Sequence, residues 1–324
     1  RYDGFVVEPR DVGSAVPVLD WRIDPADYAA MRADPADRTY RPTVLVVDGE
    51  VFDGVEVRPQ GGVTAQDGPK PNFKLKLPSS TPLGAPFFDD PVDSLVLDAD
   101  FEDPTYSVNV IGNEMYERHG APQRQVTTAR VERNGGFHGI YQLLEEQKSV
   151  WRRRAGFDVA SQYEGELGSE LEDLRLVDEG EPGLLEDRFS LEHPEDDGDF
   201  VDLHDLAAAL DGVPSGEQPA VVFDSFDVPE LIDVLAVSAL LNNYDTFSGN
   251  WTLLRDADTD RWRAIPNDLD LILGLRGDAR TTSLVPDFAL GTFGPLFADD
   301  RFVDMYLRRL RTLLDTELTA AAVL

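Results

Sequence analysis

The sequence predicts an α+β fold in which a β-rich first part of about 150 residues precedes a helix-rich second part. Two turns carry the β prediction: Asp48-Gly49 and Asn134-Gly135 each stand between β-branched runs, the pattern of a β-hairpin. Between these turns, apolar residues at helical spacing predict one helix over 105–119. We therefore expect a mostly antiparallel sheet with one intervening helix in the first part.

The second part carries two strong helix signals. Residues 228–243 are strongly apolar, and Asp227 followed by Pro229 is typical of a helix start. Residues 299–322 are amphipathic, and we expect their apolar face to be formed by Phe302, Tyr306, Leu310, Leu313 and Leu314.

The middle of the chain is acidic. Residues 158–230 are rich in Asp, Glu, Gly and Pro, which predicts an acidic insertion or substrate-facing region with short helices such as 202–211. The acidity indicates either a solvated surface or a recognition patch for a basic partner. The domain organisation that we expect is a single domain over 1–324, with a β-rich lobe over 1–150, the insertion over 151–230 and a helical lobe over 231–324.

Composition excludes several classes of protein. The chain has no cysteine, so disulfides, thiol catalysis and Cys-ligated zinc are excluded. It has no basic stripe that would meet nucleic-acid phosphates, and no apolar run approaches the roughly 20 residues that cross a bilayer. Because the chain begins at Arg1, we expect it to be a segment of a longer protein, and the oligomeric state stays open.

Lysine is scarce but clustered. Only four of the 29 basic residues are lysines, and Lys70, Lys74 and Lys76 lie within one short segment. Strand alternation over 73–77 puts Lys74 and Lys76 on one face, opposite the apolar residues. A lysine cluster is suited to binding phosphate, and the alternative is a solvated strand face.

Four polar residues in the second part follow the order of the protein-kinase catalytic groups. Asp245 is followed by Asn250, and after a predicted hairpin by Asp268 and Asp270. In kinases the first Asp orients the attacking hydroxyl, while the Asn and the second Asp hold the metal ions. Asp268 and Asp270 alternate around Leu269, so both can face one cleft and bind Mg²⁺ or Mn²⁺. The alternatives are a helix cap, a turn Asn and solvated acids.

The intervening segment, Asp256 to Asp260, resembles a calcium loop only superficially. It lacks the Gly at the sixth position and the Glu at the twelfth. We interpret it as the turn of a hairpin between 251–255 and 261–266.

Together these segments resemble the CotH family of atypical protein kinases. The resemblance extends over about residues 16–315 and rests on four blocks in the family's order: Val57 to Leu77, His138 to Glu145, Leu240 to Trp251, and Trp262 to Asp270. It implies a two-lobed kinase-like fold with Mg- or Mn-ATP between the lobes. It also implies phosphate transfer to protein Ser or Thr hydroxyls, and an extracellular or cell-surface location.

The resemblance also assigns roles to single residues. Asp245 corresponds to the catalytic Asp and Asp268 to the metal-binding Asp, while the order and alternation described above predict Asn250 and Asp270 as further metal ligands. Lys74 is the phosphate-contacting lysine. The expected nucleotide-binding residues are Arg58, Lys76, Tyr141, Glu145 and Trp262, with Tyr141 and Trp262 beside the adenine and Glu145 near the hinge.

Three departures from the family pattern stand out. Residues 59–64 lack the family's second Arg and its Ser, Pro71 interrupts the usual double lysine, and Asn267 replaces the Trp before Asp268. The metal-binding residues are kept. Two alternatives to a protein kinase therefore stay open: a pseudokinase that acts as a surface or structural binding protein, and a phosphotransferase that acts on a small molecule.

The net charge of −33 predicts a protein adapted to high salt. A Debye length of roughly 3 Å at 1 M salt screens the repulsion between carboxylates, so the free energy of unfolding should rise from about 0.1 M to 1 M NaCl. Urea unfolding across this range measures it. Maximal stability at low ionic strength would contradict the prediction and favour the alternative, a GC-rich genome that replaces Lys by Arg.

Overall fold

The structure is a computed structural model that describes residues 14–61, 70–100, 103–165, 174, 185–194, 198–243, 246, 250–275 and 292–318. It confirms the predicted α+β class. The chain forms two compact units. The first comprises residues 1–110 and 124–151, and the second comprises 111–123 and 152–324. The predicted division into one domain with an acidic insertion stays a prediction.

The first unit is a closed barrel with the strand order β1-β2-β3-β4-β5-β7-β6. Both predicted hairpins are present, as β2–β3 and β6–β7, and Asp48 and Asn134 adopt positive φ at their turns. Parallel pairing of β1 with β6 closes the barrel. The strands are β1 (Val18–Ile23), β2 (Arg41–Val47), β3 (Glu50–Gln60), β4 (Asn72–Lys76), β5 (Ser94–Asp98), β6 (Val126–Arg133) and β7 (Gly136–Glu145).

Strand alternation fills the barrel with apolar side chains. On β4, Phe73 and Leu75 are buried in the core, which places Lys74 and Lys76 on the opposite face, as predicted. Trp21 lies in the same core, and its indole N–H donates to Thr43 Oγ1 at 2.8 Å, so no polar atom of the ring is left unpaired. β3 continues to Gln60, so the first two residues of the segment 59–64, which departs from the family pattern, are strand; residues 62–69 lie outside the described residues.

Two helices lie in the first half of the chain, and most of the second belongs to the second unit. Helix α1 (Pro25–Ala33) follows β1 and is capped by Asp24, whose side chain accepts from Ala26 N. Helix α2 (Val108–Arg118) confirms the helix predicted over 105–119. Its first turn is held by Asp103, whose Oδ2 accepts from Val108 N at 3.0 Å.

The second unit contains an antiparallel four-stranded sheet in the order β11-β10-β8-β9. Its members are β8 (Val159–Gly165), β9 (Phe189–His193), β10 (Trp251–Asp256) and β11 (Trp262–Pro266). The hairpin β10–β11 is as predicted. The strands β8 and β9 lie in the region where we expected short helices. Pairing of β8 with β10 and burial of Tyr163 override the weak local signal.

The structure describes further helices after residue 148, and those predicted over 202–211 and 228–243 are present with shifts of one or two residues at their ends. The helix predicted over 299–322 is present over 300–317, and residues 319–322 lie outside the described residues. In order, these helices are α3 (Ser149–Arg154), α4 (Val201–Asp211), α5 (Gln218–Ser225), α6 (Val228–Leu241), a 3₁₀ turn (Gly294–Ala298) and α7 (Asp300–Glu317). Within the described residues, none of the helices combines the length and apolarity needed to cross a membrane.

Capping residues mark the two long helices. Asp227 accepts from Glu230 N at the start of α6, and Asp299 accepts from Arg301 N and Phe302 N at the start of α7. Four of the five apolar residues predicted for the face of α7 are buried. Leu314 is 41% exposed, so its assignment to that face was wrong: Leu310 and Leu313 complete the buried stripe without it.

His138, on β7, lies in an aromatic environment in the first unit. Its ring stacks on Tyr141 at 5.6 Å between centroids and meets the edges of Trp21 and Tyr28. Burial, with the neighbouring positive charges of Arg133, Lys70 and Arg32, lowers the pKa of His138 to about 4. The imidazole is therefore neutral in the folded protein at neutral pH.

We expect His138 to make stability depend on pH. Between about pH 6.5 and pH 4 the unfolded chain takes up a proton that the folded protein refuses, so stability falls as pH falls. Wild type should therefore lose stability relative to His138→Gln over this interval, by at most about 1.4 kcal/mol per pH unit. Urea unfolding from pH 7 to pH 4 measures this difference. His204→Gln, in the second unit, is the control, and a wild-type minus His138→Gln difference independent of pH would contradict the assignment.

Candidate active site

The β10–β11 hairpin brings together two parts of the predicted site. Trp251 pairs with Pro266 at the open end of the hairpin, and Asn267 N donates to Asn250 O at 2.8 Å. Asn250 therefore lies beside the residue that precedes Asp268, although the two are far apart in sequence. At the closed end, Asp256 Oδ1 accepts from Asp258 N and Thr259 N, which confirms a turn rather than a calcium loop.

The segment after β11 presents two carboxylates around a buried anchor. Leu269 is fully buried, whereas Asp268 and Asp270 are half-buried on either side of it. Asp270 N donates to Asp268 Oδ1 at 3.4 Å. The buried leucine fixes the backbone of this segment, as the alternation in the sequence predicts.

Asn267, a departure from the family pattern, is part of the buried structure. It is 4% exposed, and its Oδ1 accepts from Thr252 Oγ1 at 2.8 Å. The sequence showed the substitution but gave no signal for this partner on β10. An amide that pairs with Thr252 thus replaces the bulk of an indole next to Asp268.

Asn250, Asp268 and Asp270 provide the oxygen donors that Mg²⁺ and Mn²⁺ prefer, an amide and two carboxylates. Asn250 is buried, and both carboxylates keep partial exposure, so the donor chemistry fits a hard cation. Within the part of the chain that the structure describes, no three acidic or histidine side chains are grouped closely enough to hold a metal. The metal set stays a prediction, and Asp245 lies outside the described residues.

The predicted phosphate-contacting lysine has a carboxylate partner. Lys74 forms an ion pair with Glu146, and both side chains are largely buried. Arg58 pairs with Lys74 across β3 and β4, donates to Pro59 O at 3.0 Å and lies over the Tyr40 ring. Lys76 is exposed at the end of β4. The structure therefore brings Arg58 and Lys74 together on one face of the barrel wall.

Tyr141 is on the other face of that wall. Its ring is fully buried in the barrel core, and its hydroxyl donates to Pro71 O at 3.3 Å. The lysine that reaches it is Lys70, whose Nζ lies 4.6 Å from the Tyr141 ring centroid and 4.4 Å from that of Tyr106. Burial lowers the pKa of Lys70 to about 8, against the opposing effect of nearby carboxylates. Sequence alternation could not single out Lys70, because it precedes β4.

The two remaining nucleotide candidates are also buried. Glu145 lies at the end of β7, and its Oε2 accepts from Gln125 N at 2.9 Å. Trp262 opens β11 in the second unit, with its ring 6.1 Å from that of Tyr163. The placement of Trp262 beside the adenine and of Glu145 near the hinge stays a prediction.

Gly112 of α2 supports the carboxylate segment by close packing. A Cβ at Gly112 would lie 2.9 Å from Leu269 Cδ1 and 2.9 Å from Ile272 Cδ1, closer than real contacts allow. The glycine therefore lets the helix approach Leu269, which lies between the two carboxylates, and Ile272.

We expect Gly112→Ala to destabilise the protein. The gain in helix propensity of about 1 kcal/mol is outweighed by overpacking of about 1–3 kcal/mol, for a net loss of about 1 kcal/mol. Urea unfolding measures it. Gly216→Ala is the matched control, because a Cβ there meets no atom within 4 Å. A Gly112→Ala variant more stable than wild type would show that the packing is looser than described.

Comparison with known proteins identifies the family of this chain. The CotH kinase protein family matches residues 57–323. Inner spore coat protein H of Bacillus subtilis (strain 168) is 25% identical over 193 residues, which are 55% of this chain and 49% of that protein. The chain thus spans about half the length of that relative. A crystal structure of the Helicobacter pylori proinflammatory kinase CtkA is a distant match: 13% identity and a TM-score of 0.31, over 75% of this chain and 82% of that one. Because the family match covers most of the sequence, this chain belongs to the CotH kinase family.

Proposed function

We propose that this protein transfers the γ-phosphate of ATP to Ser or Thr hydroxyls of a surface or secreted protein. Membership of the CotH kinase family supports this function. The observation that supports it best is the hydrogen bond from Asn267 N to Asn250 O, because it joins Asn250 to the residue that precedes Asp268.

Each site residue would have one role in the transfer. Asp245 would orient the acceptor hydroxyl and accept its proton as the new oxygen–phosphorus bond forms and the bond to ADP breaks. Asn250 and Asp268 would hold one Mg²⁺ or Mn²⁺, with Asp270 available to a second. The ion would supply positive charge to the phosphate oxygens. The half-buried setting of the two carboxylates favours such binding, because charge interactions are less screened there than in water.

The basic residues of the first unit would bind the phosphates. Lys74, held by Glu146, is kept in one orientation, and Arg58 adds a second cation from the neighbouring strand. Lys76 is exposed and would contribute longer-range attraction. Tyr141, Glu145 and Trp262 would contribute to nucleotide binding as the family resemblance implies.

The altered segment at 59–64 favours a second candidate, a pseudokinase. Arg38 donates to Pro59 O at 2.8 Å and to Gly61 O at 2.9 Å, so an arginine from outside the family pattern holds the start of this segment. A protein of this kind would bind nucleotide without transferring phosphate. A small-molecule phosphotransferase would label a low-molecular-weight acceptor instead.

We further propose an extracellular or cell-surface location.

Removal of the predicted catalytic groups tests the function. We expect Asp268→Ala and Asp245→Ala each to lower the rate of phosphate transfer at least about 100-fold. Asp268→Ala loses a predicted metal ligand, and Asp245→Ala loses the group predicted to orient the acceptor hydroxyl. The assay is transfer from γ-labelled ATP to Ser/Thr substrates with Mg²⁺ or Mn²⁺ in high salt. Asp258→Ala, on the exposed turn of the same hairpin, is the matched control for loss of a carboxylate.

The outcomes separate the candidates. Labelled protein that disappears in both variants but persists in Asp258→Ala supports the kinase. ATP binding without any label supports the pseudokinase, and label confined to a small acceptor supports the third alternative. Activity of Asp268→Ala equal to that of wild type would rule out the assigned metal site.

A further inference from the structure

A buried polar cluster, formed by Tyr116, Ser238, Asn243 and Thr246, lies at the end of α6. All four side chains are essentially inaccessible to solvent. Helix α6 ends with Asn242 in the left-handed conformation at φ 53°, and Asn243 N then donates to Ser238 O at 2.8 Å. The chain thus turns inward, and the Asn243 side chain enters the interior.

The hydrogen bonds of Asn243 fix its orientation. Thr246 N is a donor and lies 3.2 Å from Asn243 Oδ1, so the carbonyl oxygen faces it. Asn243 Nδ2 then donates one proton to Tyr116 Oη at 3.0 Å and the other to Thr246 Oγ1 at 2.5 Å. Both amide protons and the amide oxygen are used, so the rotamer has no alternative of equal energy.

The proton of Tyr116 has a defined direction as well. Ser238 Oγ donates to Val234 O at 2.8 Å, so the 2.8 Å contact between Tyr116 and Ser238 is a donation from tyrosine to serine. Burial raises the pKa of Tyr116 to about 12, which keeps this proton in place over the working range of pH. The Tyr116 hydroxyl therefore accepts a hydrogen bond from Asn243 and donates one to Ser238 of α6.

The cluster continues through the backbone to the predicted metal ligands. Thr246 O accepts from Asn250 N at 3.0 Å, and Asn250 O accepts from Asn267 N at 2.8 Å. An unbroken series of hydrogen bonds thus connects Tyr116 of α2 to the residue before Asp268. In sequence, Asp245 stands between Asn243 and Thr246.

We propose that Tyr116, Asn243 and Thr246 are positioning residues, which hold Asn250 and the Asp268 segment in the arrangement needed for phosphate transfer. This inference rests on the proposed function. A purely structural role would be filled as well by apolar residues, since a buried polar group stabilises only when every partner is present. The complete pairing of Asn243 instead fixes one geometry, which is what a site with a tolerance of about 1 Å requires.

Isosteric variants test the proposal. Tyr116→Phe removes only the hydroxyl, and Thr246→Val removes only the hydroxyl acceptor, whereas Thr246→Ser keeps it. We expect Tyr116→Phe and Thr246→Val to lower kcat about 10- to 100-fold and to raise the Mg²⁺ concentration for half-maximal activity, with KM for ATP within about twofold of wild type. Thr246→Ser should retain most of the activity. Tyr306→Phe, another buried tyrosine of the second unit, is the control.

Hydrogen exchange gives a readout that does not depend on activity. The amides of Asn250 and Asn267 should exchange faster in Tyr116→Phe and Thr246→Val, but not in Tyr306→Phe. If wild type transfers phosphate and these variants keep its kcat and metal dependence, the positioning role is overturned while the proposed function stands. If wild type transfers no phosphate, the proposed function and the catalytic role fall together. Unchanged exchange in Tyr116→Phe would show that the buried polar cluster does not hold Asn250 and Asn267, and would overturn the positioning role.

Discussion

Antiparallel pairing of β10 with β11 is the constraint on which the candidate site depends. The ladder sets Trp251 opposite Pro266, and its next bond joins Asn250 to Asn267. A shift of one residue would turn the side chains of β11 to the other face and move Asp268 away from Asn250. The register is held from outside the ladder as well, because Thr252 on β10 donates to the Asn267 side chain. The departure from the family pattern at Asn267 is therefore compatible with an ordered site.

The two units differ in the polar interactions that fix their candidate residues, while apolar packing contributes to both. In the barrel, an apolar core determines the strands, and the charged groups Arg58, Lys74 and Glu146 are placed by alternation and pairing. In the second unit, the ends of α6 and β10 are held by buried polar groups that are hydrogen-bonded to one another. Hydrogen bonds add a directional requirement that apolar packing alone lacks. Asn250, a predicted metal ligand, belongs to this hydrogen-bonded part.

Local signals in the sequence were sufficient for much of the fold. Turns and helix caps depend on a few neighbouring residues. The turns at Asp48 and Asn134 and the helix start at Asp227 lie where the sequence pattern predicted them, and Asp299 caps α7 as a carboxylate at a helix start commonly does. Strands β8 and β9 were missed, because their stability comes from partners distant in sequence and their composition is that of an acidic surface region.

For the candidate site, too, local sequence signals predicted some features and missed others. The hairpin predicted between Asn250 and Asp268 is present and joins Asn250 to Asn267, the residue before Asp268, whereas the metal-binding roles of these residues stay predictions. The contact between Tyr116 and Asn243 carried no sequence signal, since nothing in either residue's surroundings marks the other. Likewise, Lys70 rather than Lys74 contacts the Tyr141 ring. This contact depends on which face of β4 is turned inward and on the path of the chain before that strand.

Closure of the barrel has a consequence for where the gene can be cut. The parallel pair that completes it joins Val18 to Arg130, so the first and the sixth strands are neighbours. The family match begins at residue 57, which lies inside β3. A fragment trimmed to that match would lack β1 and β2 and would expose the backbone groups of β6 and the remainder of β3. Such open edges pair with other chains, so the boundary of similarity is a poor boundary for expression.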